Sequence, residues 1–206
     1  MKPIFALSLA LLVSTALYAQ DIELPAPHKI GGLPLMEALA KRSTARAFDP
    51  RELSLQQLSD LTWAGLGINR ADGKRTAPSA HNSQEIELYV LLNRGAYVYD
   101  AAKHIFHLQV AEDLRGLGGS GLMPVVVLYV ADTAKSKASP EEKKRIGTVD
   151  SGFVAENIYL YCASEGLSTG YRLGGFDAAA LGSKLKLRPE QLIVGAQAVG
   201  YPATQG

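Results

Sequence analysis

Apolar residues recur along this chain with two different periods, and the switches between them predict the order of elements. From Leu33 onward, Leu35, Leu39 and their neighbours fall at helical spacing, and that segment ends before Ser43. Ser54 stands three residues before Gln57 as a capping box. Leu55, Leu58 and Leu61 then mark one face of the helix that follows. Residues 86–92, Ile-Glu-Leu-Tyr-Val-Leu-Leu, are strand-like, and Asn93-Arg94-Gly95 makes a turn. Ala96 to Tyr99 and Ile105 to Leu108 read as further short strands or a hairpin. Val125 to Val130, opened by Pro124, is apolar without alternation, which predicts a strand covered on both faces. Ser139-Pro140-Glu141-Glu142 has the marks of a helix start, with a capping residue, a first-turn proline and acids beside the dipole. Asp150 to Gly166 reads as the longest helix. Phe153, Val154, Ile158, Tyr161, Cys162 and Leu167 make it central and heavily buried, and Gly166 ends it. A helix from about Ala178 to Leu187 and a final strand from Gln191 to Gly200 complete the pattern. The fold class expected is α+β, a sandwich with a small mixed, largely antiparallel sheet flanked by helices.

Composition supports one domain with its own core. Of 206 residues 47% are apolar, enough to bury a core without disulfides or metals. The formal charge is +1 with both signs interspersed, so no nucleic-acid-binding surface is expected. The four histidines, one cysteine and scattered acids show no metal-ligand spacing. Cys162 is the single cysteine, which excludes an intramolecular disulfide, and its place on the apolar helix makes it a core residue. Lys2, the apolar run Ile4–Leu17 and Ala19 before Gln20-Asp21 read as a secretory signal peptide over residues 1–19, cut after Ala19. The alternative is a retained anchor helix, although the run is shorter than the ~20 residues that span a bilayer. Cleavage would leave no stable membrane span and make the protein periplasmic or secreted. Residues 20–32, with Pro25, Pro27, Gly31 and Gly32, form an extended lead-in, and residues 33–206 the single domain.

Three segments carry candidate chemistry. Arg42-Ser43-Thr44-Ala45-Arg46-Ala47-Phe48 sets two guanidiniums four apart with hydroxyls between them, a donor set that suits a terminal phosphate. The same residues also suit a solvated helix end with basic groups beside the dipole. Arg75-Thr76-Ala77-Pro78-Ser79-Ala80-His81-Asn82-Ser83-Gln84 combines a fixed backbone with small polar groups, so it can lie flat on a planar ligand or serve as a polar connection. Gly170-Tyr171-Arg172-Leu173-Gly174-Gly175-Phe176-Asp177 offers close backbone approach and a helix cap, or simply a tight turn. No G-x-S-x-G elbow, Walker loop or dinucleotide fingerprint occurs.

These segments, in this order, resemble the nitroreductase family of FMN oxidoreductases. The likeness runs over roughly residues 33–202. It rests on Arg-Ser-Thr-x-Arg-x-Phe, Pro-Ser-x-x-Asn-Ser-Gln, Asp150-x-Gly152 and Gly200-Tyr201-Pro202. The Arg75–Ser79 context and Tyr97-x-Tyr99 are similar to the branch with the thiazole- and oxazole-forming dehydrogenases. The resemblance implies an FMN cofactor and a homodimer whose subunits build each flavin site together. It implies that Arg42, Ser43, Thr44 and Arg46 hold the phosphate and ribityl chain. Pro78, Ser79, Ala80 and Asn82 would reach the flavin from the partner subunit. Arg172, Leu173, Gly174 and Gly175 would lie along the ring. Two departures stand out: the chain ends at Pro202-Ala203-Thr204-Gln205-Gly206 without the family's usual Lys or Arg, and Ala111 to Gly121 is short and glycine-rich.

The activity this implies is ping-pong transfer of a hydride or electrons through the flavin to a small-molecule acceptor, nitroaromatic or quinone-like, with no protein nucleophile. NAD(P)H is a possible electron donor, yet export would place the protein away from it. An exported flavin-binding protein without turnover, and a dimer that has lost FMN, are the alternatives.

Overall fold

The computed structural model describes residues 20–204 apart from 120 and 122. The expected signal segment, residues 1–19, lies outside the described residues.

The lead-in contributes a two-residue strand, β1 (Ile22–Glu23), before helix α1 (Leu35–Lys41) and a second short strand, β2 (Phe48–Asp49). Helix α2 (Leu55–Leu66) starts as its sequence predicts. Ser54 accepts from the Gln57 N–H while the Gln57 side chain accepts from the Ser54 N–H. Three strands follow in a meander, β3 (Ile86–Leu92), β4 (Gly95–Asp100) and β5 (Ile105–Val110), and then β6 (Val125–Asp132). Helix α3 runs from Lys143 to Glu165, and Gly166 closes it in the left-handed region at φ 68°. Strand β7 (Ser168–Arg172), helix α4 (Ala178–Lys184) and the long strand β8 (Gln191–Pro202) complete the chain.

Eight strands form one sheet in the order β1-β5-β4-β3-β6-β8-β2, with β7 also on β8. Every pairing among the described residues is antiparallel. β6 is buried along its whole length. Val125, Val127, Tyr129 and Ala131 pack with Leu58, Leu61, Val154, Ile158 and Cys162 from α2 and α3. Val126, Leu128 and Val130 pack on the opposite face with Leu114 and with Leu181 and Leu185 of the α4 region. That two-sided cover is why the strand has no polar alternation. Each such side chain contributes on the order of 1.5–3 kcal/mol by leaving water.

Two expectations are corrected. The helix start at Ser139–Glu142 and the helix from Asp150 are one element, because the polar first turns of α3, from Lys143 to Thr148, join them. That helix is buried on one side only: Val154, Ile158 and Cys162 are enclosed, whereas Val149 is 52% and Phe153 46% exposed. α3 also closes tightly on the sheet at Gly147, where a Cβ would stand 2.6 Å from that of Ala131.

Candidate functional site

The first and third segments meet. Ala45 N–H donates to the Thr169 carbonyl at 2.8 Å, so the 42–46 segment lies along β7. The approach requires glycine at 170, since a Cβ there would come within 2.4 Å of the Ala45 carbonyl oxygen. Between them opens a cleft of about 360 Å³ lined by Thr44, Ala45, Arg46, Gly170, Tyr171, Arg172 and Gly174.

One side chain of α3 fixes both walls. The Tyr159 hydroxyl accepts from Tyr171 N–H at 2.8 Å and shares a hydrogen bond with Thr44 Oγ1 at 3.1 Å. The Arg42 guanidinium lies 5.3 Å from the centroid of the same ring, within cation–π range. Tyr171 is held in turn through its own hydroxyl. Ser151 Oγ gives its proton to the Thr148 carbonyl and accepts from Tyr171 at 3.1 Å. Burial raises the Tyr171 phenol above its ordinary range, so it acts here as a neutral donor.

Electrostatically the cleft is a donor site. Neither Arg42 nor Arg46 makes an ion pair among the described residues. Ser43, Thr44 and Arg46 are exposed. Gly174 and Gly175 follow β7 in an open turn, with Gly175 at φ 77°, and their N–H groups engage no backbone carbonyl among the described residues. Asp177 then caps α4 by accepting from Ala180 N–H at 2.9 Å. Arg172 lines the same cleft as Arg46. Its guanidinium lies against Gly119, where a Cβ would be 2.1 Å from Nη1. Gly119 of the glycine-rich stretch is thus packed beside the cleft, and a shallow concavity of about 590 Å³ lies between Gly116, Gly119 and Phe176.

The second segment stands apart within one chain. Ala80 N–H donates to Asp150 Oδ2 at 2.8 Å, which ties the loop to the N-terminal half of α3. Tyr159, which anchors the cleft, is nine residues further along that helix, about 13 Å at 1.5 Å per residue. The loop is unusually shaped: His81, Asn82 and Gln84 all have positive φ, between 50° and 55°. Ser79 Oγ accepts the Gln84 N–H, and the Gln84 side chain accepts from Arg75 at 3.1 Å. Tyr159 is not legible as a site residue in the sequence, because it reads as an ordinary member of the long helix, and Tyr171 stands inside the third candidate segment without an expected role.

The sequence model of the nitroreductase family matches residues 39–201. The chain belongs to the nitroreductase family. A protein of Methanocaldococcus jannaschii described as a nitroreductase is 26% identical over 189 residues, covering 84% of this chain and 93% of the relative. A crystal structure of a Ralstonia eutropha protein, also described as a nitroreductase, superposes with a TM-score of 0.86 at 35% identity over 99% of each chain. The fold extends to an NADPH:FMN oxidoreductase of Vibrio harveyi in complex with NAD+, with a TM-score of 0.61 and 20% identity. That match covers 82% of this chain and 69% of the other. This nitroreductase-family protein is therefore an oxidoreductase. Among its described residues no helix is long and apolar enough to cross a membrane.

Proposed function

We propose that this nitroreductase-family protein is an FMN-dependent oxidoreductase that works as a homodimer on a small-molecule acceptor. The observation that carries the reading is the convergence of two segments, 42–46 and 170–174, on one donor-lined cleft fixed by Tyr159. The donors at and beside the cleft fit the cofactor's charge. Arg42 and Arg46 bring guanidiniums that make no ion pair among the described residues, and Ser43 and Thr44 bring hydroxyls, the donors a phosphate monoester takes. Gly170 leaves room for backbone to lie close, and the free N–H groups at Gly174 and Gly175 can stabilise negative charge at a ring edge. Bound FMN would supply hydride and electron transfer, chemistry that no side chain of the cleft offers. NAD(P)H is the donor that the Vibrio harveyi neighbour favours. If the protein is exported to the periplasm or secreted, a redox protein or quinol takes that place.

The dimer is supported by the outward face of α3 and α1, which pack together. On α3, Val149 and Phe153 are 52% and 46% exposed, and on α1 Leu35 and Met36 are 63% and 74% exposed. Large apolar side chains left in water on two packed helices are what an interface covers. Pairing two copies through α3, which holds the Pro78–Asn82 loop at Asp150 and the cleft at Tyr159, would let each loop serve the other copy.

The reading is tested by the visible spectrum of the purified protein with and without added FMN. A retained flavin spectrum, bleached by a reductant and restored by a quinone or nitroaromatic over many cycles, is expected. Protein that stays colourless with excess FMN rejects the flavin assignment, and flavin that binds without cycling rejects the enzyme.

A further inference from the structure

Glu85 is fully buried, and neither of its carboxylate oxygens has a hydrogen-bond donor among the described residues. The group that faces it is another acid, Asp150, itself only 3% exposed. The fold forces this meeting. Glu85 immediately precedes Ile86, which pairs with Ala131 on β6, and Gly147 brings α3 down onto Ala131 one turn before Asp150. Two ionised carboxylates enclosed together repel strongly, and neither has a proton to offer the other. One proton between them resolves both problems: the protonated acid donates and the ionised one accepts.

We propose that Glu85 and Asp150 hold a single shared proton, and that this proton positions the Pro78–Gln84 loop. Glu85, when protonated, donates to Asp150 and holds its carboxylate in place. The other Asp150 oxygen, Oδ2, is then fixed where it receives the Ala80 N–H at 2.8 Å. That bond is the loop's tie to α3, beside its internal Ser79–Gln84 bond and its contacts with Arg75 and Lys137. Removing the proton sets two buried negative charges against each other and loosens the anchor. Burial, then the Asp150 carboxyl, pushes Glu85 up to about 7. Its own backbone N–H and the charge of Lys135 oppose that rise. Lys135 is itself engaged, at 2.6 Å from Glu87 and 3.7 Å from Asp132, and Lys137 reaches the His81 carbonyl at 3.4 Å. No cation therefore sits on the pair among the described residues.

The consequence for the cofactor rests on the flavin reading above, in which this loop covers the partner's ring. Glu85 and Asp150 are then positioning residues, acting through the loop without touching the flavin.

The test compares the purified protein with Glu85→Gln and Asp150→Asn, each of which sets one amide against one acid in place of two facing carboxyls. Ala80 amide exchange is measured without flavin from pH 5.5 to 9. The ratio of wild-type to variant rate at each pH removes the intrinsic dependence. A ratio near one below pH 6 that rises on the order of tenfold by pH 9 supports the pair. A ratio that stays flat overturns it. FMN affinity is then measured over the same range. A several-fold weakening through pH 7 in wild type, absent in both variants, supports the link to the flavin, and parallel profiles overturn that link. A wild-type protein that binds no FMN at any pH would reject the flavin reading, while amide exchange would still decide the fate of the acid pair.

Discussion

Gly170 and Ala45 lie closer than any side chain between them would allow, with only 2.4 Å from a built Cβ at 170 to the Ala45 carbonyl oxygen. Gly170→Ala should push the 42–46 segment off β7 and stretch the Ala45–Thr169 hydrogen bond. Overpacking of this kind costs about 1–3 kcal/mol. At about 2–4 °C per kcal/mol, thermal denaturation should show a midpoint lower by several degrees. FMN affinity should fall at least tenfold. Gly174→Ala, with nothing within 4 Å of its Cβ position, is the control and should leave the midpoint unchanged.

Tyr159→Phe isolates the hydroxyl. It keeps the ring under Arg42 but leaves the Tyr171 N–H without its acceptor. An unsatisfied buried donor costs about 1–3 kcal/mol. Chemical denaturation should show that loss, together with weaker flavin binding. Equal stability would mean that water or Thr44 replaces the hydroxyl and that Tyr159 does not set the cleft.

Arg42→Ala and Arg46→Ala should each lower FMN affinity by about ten- to a hundredfold, as expected for losing a charge-assisted bond. Riboflavin, which lacks the phosphate, should bind wild type and both variants with similar affinity. A phosphate-independent loss would move these arginines to the ring.

Sequence reasoning reached the elements whose pattern is local. The capping box at Ser54 and Gln57, the two-sided burial of β6 and the glycine stop at 166 all follow from nearest neighbours in the chain. The start of α3 was obscured because Lys143 to Thr148 carries no apolar stripe, although Ser139–Glu142 signalled a helix. In the sequence β7 reads as part of a loop, since Gly170 lowers strand propensity and its partner, β8, lies about 30 residues further on. The donor set at Arg42–Arg46 was visible as composition. Its convergence with Gly170–Gly174 depends on Tyr159, a residue that a helical pattern assigns to the core. Glu85 shows the same limit: between Gln84 and Ile86 it looks like an outward strand position, and only the descent of α3 at Gly147 encloses it.

Cys162 should be chemically silent in the native protein. It is fully enclosed, and burial pushes its thiol well above the ordinary range. A disulfide reagent at pH 8 should react only at the rate of global unfolding, with one thiol released per chain in denaturant. Fast native reaction would show that the α3–sheet core opens locally.

Three of the four histidines tie the lead-in to the body, and the titrations of two, His104 and His107, oppose one another. His107, held at 2.7 Å by Asp21, is raised chiefly by that hydrogen bond, and Asp21 is lowered by it. The His107 contribution is present at low pH and lost as pH rises through its raised value. The Asp21 contribution is present above the ordinary carboxyl value and lost as pH falls through its lowered one. His104, lowered chiefly by burial, is bonded to Ser59 and Tyr99 as a neutral ring. Its contribution fades as pH drops below the ordinary imidazole value toward the lowered one. His28 adds a further contact, to Asp60 at 3.0 Å. Protection of Lys29 from trypsin should therefore change little between pH 7 and 5 in wild type and decline in His107→Gln.

Tyr159 gives α3 a second role. Its hydroxyl grips both walls of the cleft, and the same helix presents Val149 and Phe153 outward. In a dimer formed through α3, assembly and cofactor occupancy act on one rigid rod and are bound by reciprocity. Whatever factor FMN adds to the association constant of two subunits, association must add to the affinity for FMN. Dilution alone would then release flavin from a chain whose every residue is unchanged.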